Sequence, residues 1–245
     1  MNTKHFVTCV MPTYGRPRFV EQAVKLFLAQ AWTRSELLIF DDSPAELRVR
    51  VRENSRIKVF QLGERVSMGE KHNLGLDAAQ GEFIAHFDDD DWQSPRRLTR
   101  QVETLVLEDL DICGFLTDCL LTTGDARFWR FDRAYGKRTG LVGNSVIDFG
   151  VPFMDGSAAF RRSAIGEARY PTMPTGQKVV FLHQMWKAGA KIKSLPNNGM
   201  YVYVRHAPKS SAVNTWQYLK DRRLLEIEKP TWFPFADLDF YRRAV

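Results

Sequence analysis

Cysteine is scarce in this chain, and no stretch of it is apolar enough to lie across a bilayer. The three cysteines, Cys9, Cys113 and Cys119, stand far apart in apolar runs. None shares a C-x-x-C spacing with another, so a thiolate metal site and a disulfide framework are excluded and reduced thiols are expected. No run approaches the ~20 apolar residues of a membrane-spanning helix. The N-terminal segment Met1-Asn-Thr-Lys-His-Phe-Val7 has no apolar signal-peptide core, and the expectation is a soluble, cytoplasmic protein. Internal repeats and low-complexity linkers are absent too, which favours one continuous body.

What is present is a globular composition. Of 245 residues, 44% are hydrophobic and 26% charged, enough for a large α/β domain with a sizeable core. Lys and Arg number 35 against 29 Asp and Glu, a net charge of +6. The surplus suits an anionic partner, whether a nucleotide, an acidic glycan, a membrane surface or a nucleic acid, without choosing among them.

The segment GEFIAHFDDDDW, residues 81–92, concentrates the chemistry. Its apolar run 83–87 has the length of a buried strand, and it delivers four carboxylates in succession, Asp88, Asp89, Asp90 and Asp91. Carboxylates about 4 Å apart repel by ~1 kcal/mol per pair in water and by more near a protein surface. A cluster fixed between a core strand and Trp92 and Pro95 therefore calls for a compensating cation, and a hard divalent ion with oxygen ligands fits. A solvated acidic turn is the bland alternative.

Around it the pattern predicts strands over 6–11, 36–40, 57–60 and 83–87. Helices are predicted over 19–31 and 69–80, and a turn at Pro12-Thr13-Tyr14-Gly15-Arg16-Pro17. This alternation implies a mostly parallel sheet covered by helices, with ligands outside the carboxyl ends of the strands. The loops 12–16, 41–43 and 88–91 should then meet at one edge. Further on, the periodicity predicts helices over 96–107 and 179–189 and strands over 111–117, 191–195 and 200–204. The segment ARFWRFDRAYGKRTG, residues 126–140, interleaves basic and aromatic side chains. It suits sugar stacking, an anionic glycan or nucleic acid, or is simply a solvated loop. Residues 207–245 read as a tail packed on the body.

CVMPTYGR (9–16), LLIFDDS (37–43) and GEKHNLGLDAAQGEFIAHFDDDDW (69–92), in that order and spacing, resemble the family-2 glycosyltransferases of GT-A fold over roughly residues 6–206. The resemblance implies a single domain: a nucleotide-sugar-binding half at 1–100, an acceptor half at 101–206 and the tail at 207–245. It implies transfer of a sugar from a nucleoside diphosphate donor, with uridine as the base, to a hydroxyl of a glycan or lipid-linked acceptor. Mn²⁺ or Mg²⁺ is the implied cofactor. In donor binding it implicates Pro12, Thr13, Tyr14 and Arg16, Asp41 as acceptor from the base N–H, Asn73, Asp88 and Asp89. Asp90, Asp88 and His206 are the implied metal ligands, with Asp89 and Asp91 able to exchange roles by a shift of one position. Arg205 and Lys209 are alternatives to His206 for neutralising phosphate.

One departure stands out. Where inverting members carry an acidic pair that supplies the general base, this chain has Gln177 and Lys178. Gln takes no proton and Lys is normally charged. Asp155, in MDGS (154–157), is the substitute base. The departure also motivates an alternative, a non-catalytic nucleotide- or polyanion-binding protein of the same fold, and the basic-aromatic segment leaves open another, a glycosyltransferase acting on nucleic acid. A phosphotransferase ranks behind, since its nucleophilic Asp is expected after the first strand and not the fourth.

Overall fold

The computed structural model describes residues 4–52, 54–116, 119–131, 141–142, 145–146, 153–206 and 224–244. The first half runs β1 (Val7–Thr13), α1 (Pro17–Leu28), β2 (Ser35–Asp41), β3 (Ile57–Gln61), α2 (Met68–Ala78), β4 (Phe83–His86), β5 (Trp92–Gln93) and α3 (Arg97–Leu107). It continues with β6 (Ile112–Phe115), β7 (Leu120–Thr122), β8 (Arg127–Phe131), β9 (Leu141–Val142), β10 (Ser145–Val146) and β11 (Ala159–Arg161). The C-terminal part holds α4 (Gln177–Lys187), β12 (Ile192–Leu195), β13 (Tyr201–Arg205), β14 (Leu224–Ile227) and α5 (Phe235–Arg243).

Seven strands form the central sheet in the order β12-β6-β11-β4-β1-β2-β3. Only β11 runs against the rest, antiparallel to both β4 and β6, so the sheet is mostly parallel and flanked by helices, a GT-A-type α/β architecture. Parallel strands are buried on both faces, and alternation along them feeds two cores. Val7, Cys9, Met11, Leu37, Ile39, Phe83 and Ala85 face one core with Phe19, Val20, Ala23 and Phe27 of α1 and Leu98, Val102 and Leu105 of α3. Val10, Leu38, Phe40 and Ile84 face the other, with Leu76 of α2 and Phe181, Leu182 and Met185 of α4. The chain builds β1, β2 and β3 outward and then returns to place β4 on the other side of β1. That reversal is the crevice where open α/β sheets bind ligands.

The α2 N-terminus is set by Ser67-Met-Gly-Glu70, in which Ser67 Oγ accepts from the Glu70 backbone N–H at 3.1 Å, half of a capping box. At the other end, Gly81 lets the chain turn into β4. A Cβ there would lie 2.5 Å from the Thr8 backbone nitrogen and 2.6 Å from the Phe83 carbonyl oxygen. Both are backbone atoms of paired strands and cannot step aside. Gly81→Ala is therefore expected to cost about 1–3 kcal/mol of overpacking strain, read as a lowered midpoint in chemical denaturation.

Three expectations are corrected. The helix predicted to reach residue 31 stops at Leu28, with the Ala29 N–H bonded to the Lys25 carbonyl. Part of the basic-aromatic segment is not a loop: β8 lies between β7 and β14 in a second, five-stranded sheet of order β14-β8-β7-β13-β5. Phe128 is 2% and Trp129 8% exposed, so neither is available to stack on a sugar or a base. Residues 132–140 of that segment, residue 117 of the predicted 111–117 strand and residues 207–223 and 245 of the tail lie outside the described residues. Of the rest of the tail, Phe233, Leu238 and Tyr241 belong to the first core.

Candidate active site

β1 and β2 end level with one another, Thr13 opposite Asp41, and β4 runs alongside β1 with His86 opposite Val10. The loops after these three strands consequently meet at the carboxyl edge of the sheet.

The two aspartates where β2 ends do different work. Asp41 is fully buried and its carboxylate shapes its own loop: Oδ1 accepts from the Ser43 N–H (2.9 Å) and hydroxyl, and Oδ2 from the Val49 N–H (2.8 Å). Asp42 instead gathers cations. It accepts from Arg65 Nη1 (2.8 Å), from the Val66 N–H (3.0 Å) and from Lys71 Nζ. Lys71 Nζ also donates to the Thr13 carbonyl at 2.7 Å, so the buried amine ties β1, β2 and α2 together. Burial pulls the Lys71 pKa down, against the opposing pull of Asp42. Pro12 is buried within β1, whereas the Tyr14 ring is 42% exposed and the Arg65 guanidinium lies 3.4 Å from its centroid. The result is an aromatic platform and a carboxylate with polar backbone beside it. Gly15, at φ +64°, turns the loop so that its N–H reaches Ser43 Oγ at 2.7 Å.

All four aspartates after β4 have partners, and the partners separate their roles. Asp91 is structural: Tyr201 donates its hydroxyl to Oδ2 and the Val204 N–H donates to Oδ1 at 2.8 Å. Burial pushes its carboxyl well above the usual range. Asp89 accepts from Thr13 Oγ1 at 2.6 Å, and burial pushes it up to about 6 despite Arg16 nearby. Asp90 meets Arg16 Nη1 at 2.8 Å and His206 Nε2 at 2.7 Å. Burial opposes its charge, but Arg16 and His206 outweigh it and hold the carboxyl below the usual range. Asp88 receives Lys178 Nζ on its carboxylate. Burial opposes the lysine charge, yet Asp88 and Asp155 hold it firmly protonated.

Asp90 and His206 thus present a carboxylate oxygen and an imidazole nitrogen to one point, a donor set suited to Mn²⁺ and compatible with Mg²⁺. Asp88, the third expected ligand, is turned toward Lys178. Among the described residues no three His, Cys, Asp or Glu side chains form a complete ligand set. A cation held here would take its remaining ligands from substrate or water.

The turn that carries Asp155 sits directly against this loop. Asp155 begins a 3₁₀ turn over Asp155–Ser157, and a Cβ on Gly156 would lie 2.6 Å from the Tyr201 hydroxyl and 2.8 Å from Asp88 Oδ2. His86, beneath it, bonds the Asp155 carbonyl through Nδ1 and the Tyr170 hydroxyl through Nε2, both at 2.7 Å. Burial keeps His86 neutral, and burial also raises the Asp155 carboxyl, partly offset by Lys178.

Asn73 clamps the Tyr170 backbone, donating to its carbonyl at 3.0 Å and accepting from its N–H at 2.9 Å. Arg205 donates to the Tyr203 hydroxyl at 3.1 Å, and Lys209 lies outside the described residues. Gln177 and Lys178 open α4. Sequence reading did not anticipate Lys71 and Arg65 on Asp42 or Lys178 on Asp88. A lysine in place of an acid at 178 was the available signal for the last, but not its partner.

Comparison with known proteins follows the same outline. The putative teichuronic acid biosynthesis glycosyltransferase TuaG of Bacillus subtilis is 23% identical over 245 residues, covering 97% of this chain and 90% of that protein. A glycosyltransferase of Haemophilus influenzae is 25% identical over 109 residues, 42% of this chain and 44% of its own length. Among solved structures, S. aureus TarS 1-349 in complex with UDP-GlcNAc superposes with a TM-score of 0.62 at 16% identity, covering 85% of this chain and 62% of that one. The mannosyltransferase PcManGT of Pyrobaculum calidifontis, in complex with GDP-Man and Mn²⁺, gives 0.60 at 17% identity over 90% of this chain and 62% of that chain. At these identities the structural likeness is one of fold, and this chain is shorter than both proteins. The sequence model for glycosyl transferase family 2 matches residues 8–168, more than half of the chain, and this chain belongs to that family.

Proposed function

We propose that this chain transfers a sugar from a uridine diphosphate donor to a hydroxyl of a glycan or lipid-linked acceptor, assisted by Mn²⁺ or Mg²⁺, at the cytosolic side. The observation that carries the reading is one juxtaposition: the Tyr14–Asp42 platform and the Asp90–His206 pair share the switch-point edge of the sheet. A nucleobase on the first and a diphosphate at the second is the arrangement a nucleotide-sugar donor requires. The complexes of TarS with UDP-GlcNAc and of PcManGT with GDP-Man and Mn²⁺ support the donor class. The teichuronic acid role in the TuaG name supports a glycan acceptor. Among the described residues no helix is long and apolar enough to cross a membrane.

In this reading Asp90 and His206 hold the cation, which when bound supplies positive charge to the departing diphosphate. Asp88 and Asp89 line the donor. The Asp155 carboxylate takes the acceptor hydroxyl proton as that oxygen bonds the anomeric carbon and the sugar–phosphate bond breaks. Asp41, with both oxygens committed to its loop, acts on the base indirectly by fixing Asp42 and Ser43. Calorimetry with UDP, GDP and their sugars, each with and without Mn²⁺, tests the assignment. Metal-strengthened binding of a nucleoside diphosphate and slow donor hydrolysis are expected, and indifference to every nucleotide would exclude it.

The second reading, a same-fold nucleotide-binding protein without transfer, draws on Lys178 at the start of α4. Tight nucleotide binding with no hydrolysis or transfer across a donor and acceptor panel would favour it.

A further inference from the structure

A side-chain cation already stands at the pair this chain offers to a metal ion. Arg16 Nη1 lies 2.8 Å from Asp90 Oδ2 and 3.2 Å from His206 Nε2, and 3.4 Å from Asp89 Oδ1. The Arg16 side chain is 24% exposed, so these contacts are poorly screened by water. A guanidinium and a divalent ion cannot both occupy the space beside Asp90 Oδ2 and His206 Nε2, because like charges at such distances repel strongly in a half-buried site. Arg16 has somewhere to go. It opens α1 as the residue before Pro17, on a loop pinned by Gly15 and Ser43, so its long side chain can swing without moving the backbone. All three contacts are made by Nη1. Among the described residues Nε and Nη2 meet no carboxylate, which leaves most of the planar fork unspent.

We propose that Arg16 is a placeholder cation. It neutralises Asp89 and Asp90 while the donor site is empty, yields Asp90 and His206 to the incoming divalent ion, and turns its fork onto the diphosphate that arrives with that ion. The inference rests on the proposed reading of Asp90 and His206 as cation holders. It dictates an order of affinities. Metal alone must displace Arg16 with no new anion to receive it. With a diphosphate present, the displaced guanidinium gains a bidentate acceptor. Metal and nucleotide should therefore bind with positive coupling that depends on Arg16, and the coupling must be reciprocal.

Mn²⁺ binding to the full chain, followed by the electron paramagnetic resonance signal of the free ion, tests this on wild type, Arg16→Gln and Arg16→Lys, each with and without UDP. Without nucleotide, Arg16→Gln is expected to bind Mn²⁺ about tenfold more tightly than wild type, since a competing charge has gone. Arg16→Lys, which keeps the charge, is expected to stay close to wild type. With UDP the advantage of Arg16→Gln should vanish, so the factor by which UDP strengthens Mn²⁺ binding shrinks by about tenfold, or 1.4 kcal/mol. Nucleotide-free affinity in Arg16→Gln equal to or weaker than wild type would overturn the proposal, as would full retention of the coupling. Should Arg16→Gln fail to fold, Arg16→Lys carries the test. A point charge replaces a two-toothed contact, and coupling must fall severalfold. Mn²⁺ bound with Arg16-independent affinity removes the placeholder alone, whereas no Mn²⁺ binding to any variant even with UDP removes the cation reading and the placeholder with it.

Discussion

Asp90→Ala is expected to lower sugar transfer by about 10²–10³-fold, the range for losing one preorganised charge-stabilising group, while leaving the fold intact. Asp90 is where Arg16 and His206 converge, and alanine removes the carboxylate that shares a point with the imidazole. The folded state loses little in return. Arg16 keeps Asp89 within 3.4 Å, and relief of repulsion with Asp89 and Asp91 offsets part of the lost attraction to Arg16 and His206, so the melting temperature should fall only slightly. Asp91→Ala is the control with the opposite signature. It strands the Tyr201 hydroxyl and the Val204 N–H in a dry interior, at about 1–3 kcal/mol for each buried group left unpaired, and the protein should lose stability first and activity only as a consequence. Donor-hydrolysis kinetics in Mn²⁺ beside thermal melts separate the two. An Asp90→Ala variant that melts early but turns over normally would reverse the assignment of roles between these neighbours.

That such neighbours differ was only half legible in the chain. The central sheet was readable because its strands announce themselves: both faces of β1, β2 and β4 are buried, so each is a continuous apolar run, and each ends in polar residues that a sheet of this topology gathers at one edge. The short strands were not readable. β11 has three residues, Ala159–Arg161, and owes its existence to a slot between β4 and β6 that no local pattern encodes. β8 was hidden for a related reason, since its arginines suggest solvent while Phe128 and Trp129 go inward. At the site, the order of the loops was legible and the wiring was not. Asp41 and Asp42 are chemically identical in sequence, and strand parity together with the Val49 and Arg65 positions decides which one closes the loop and which gathers cations. Lys178 reads as a missing acid until Asp88, 90 residues away, is seen to receive it. Charge pairing over such separations depends on tertiary placement, which sequence patterns of period 2 or 3.6 cannot report.

The same wiring sharpens the case for Asp155 as the base. Asp155→Asn is expected to reduce transfer by about 10²–10⁴-fold, the usual reach of a positioned general base, with donor affinity unchanged, since the proposed reading gives this side chain to the acceptor and not to the donor. The pH profile distinguishes this from mere loss of a polar contact. Burial raises the Asp155 carboxyl above its ordinary 3.8 and Lys178 pulls it part of the way back. A base works only when deprotonated, so the wild-type rate should climb as pH rises through that raised value and level off above it. The climb should be missing in Asp155→Asn. Lys178→Met removes the nearby cation and should shift the climb to higher pH, an effect a merely structural lysine would not produce. Stability moves the other way: a carboxyl that holds its proton more firmly when folded stabilises the protein at low pH and ceases to do so as pH rises through the folded value. Activity should therefore increase over the very range in which this group's contribution to stability is lost. Identical acid limbs in wild type and Asp155→Asn would assign the proton to another acceptor, and Asp88, whose carboxylate lies against Gly156 beside Asp155, would be the next to test.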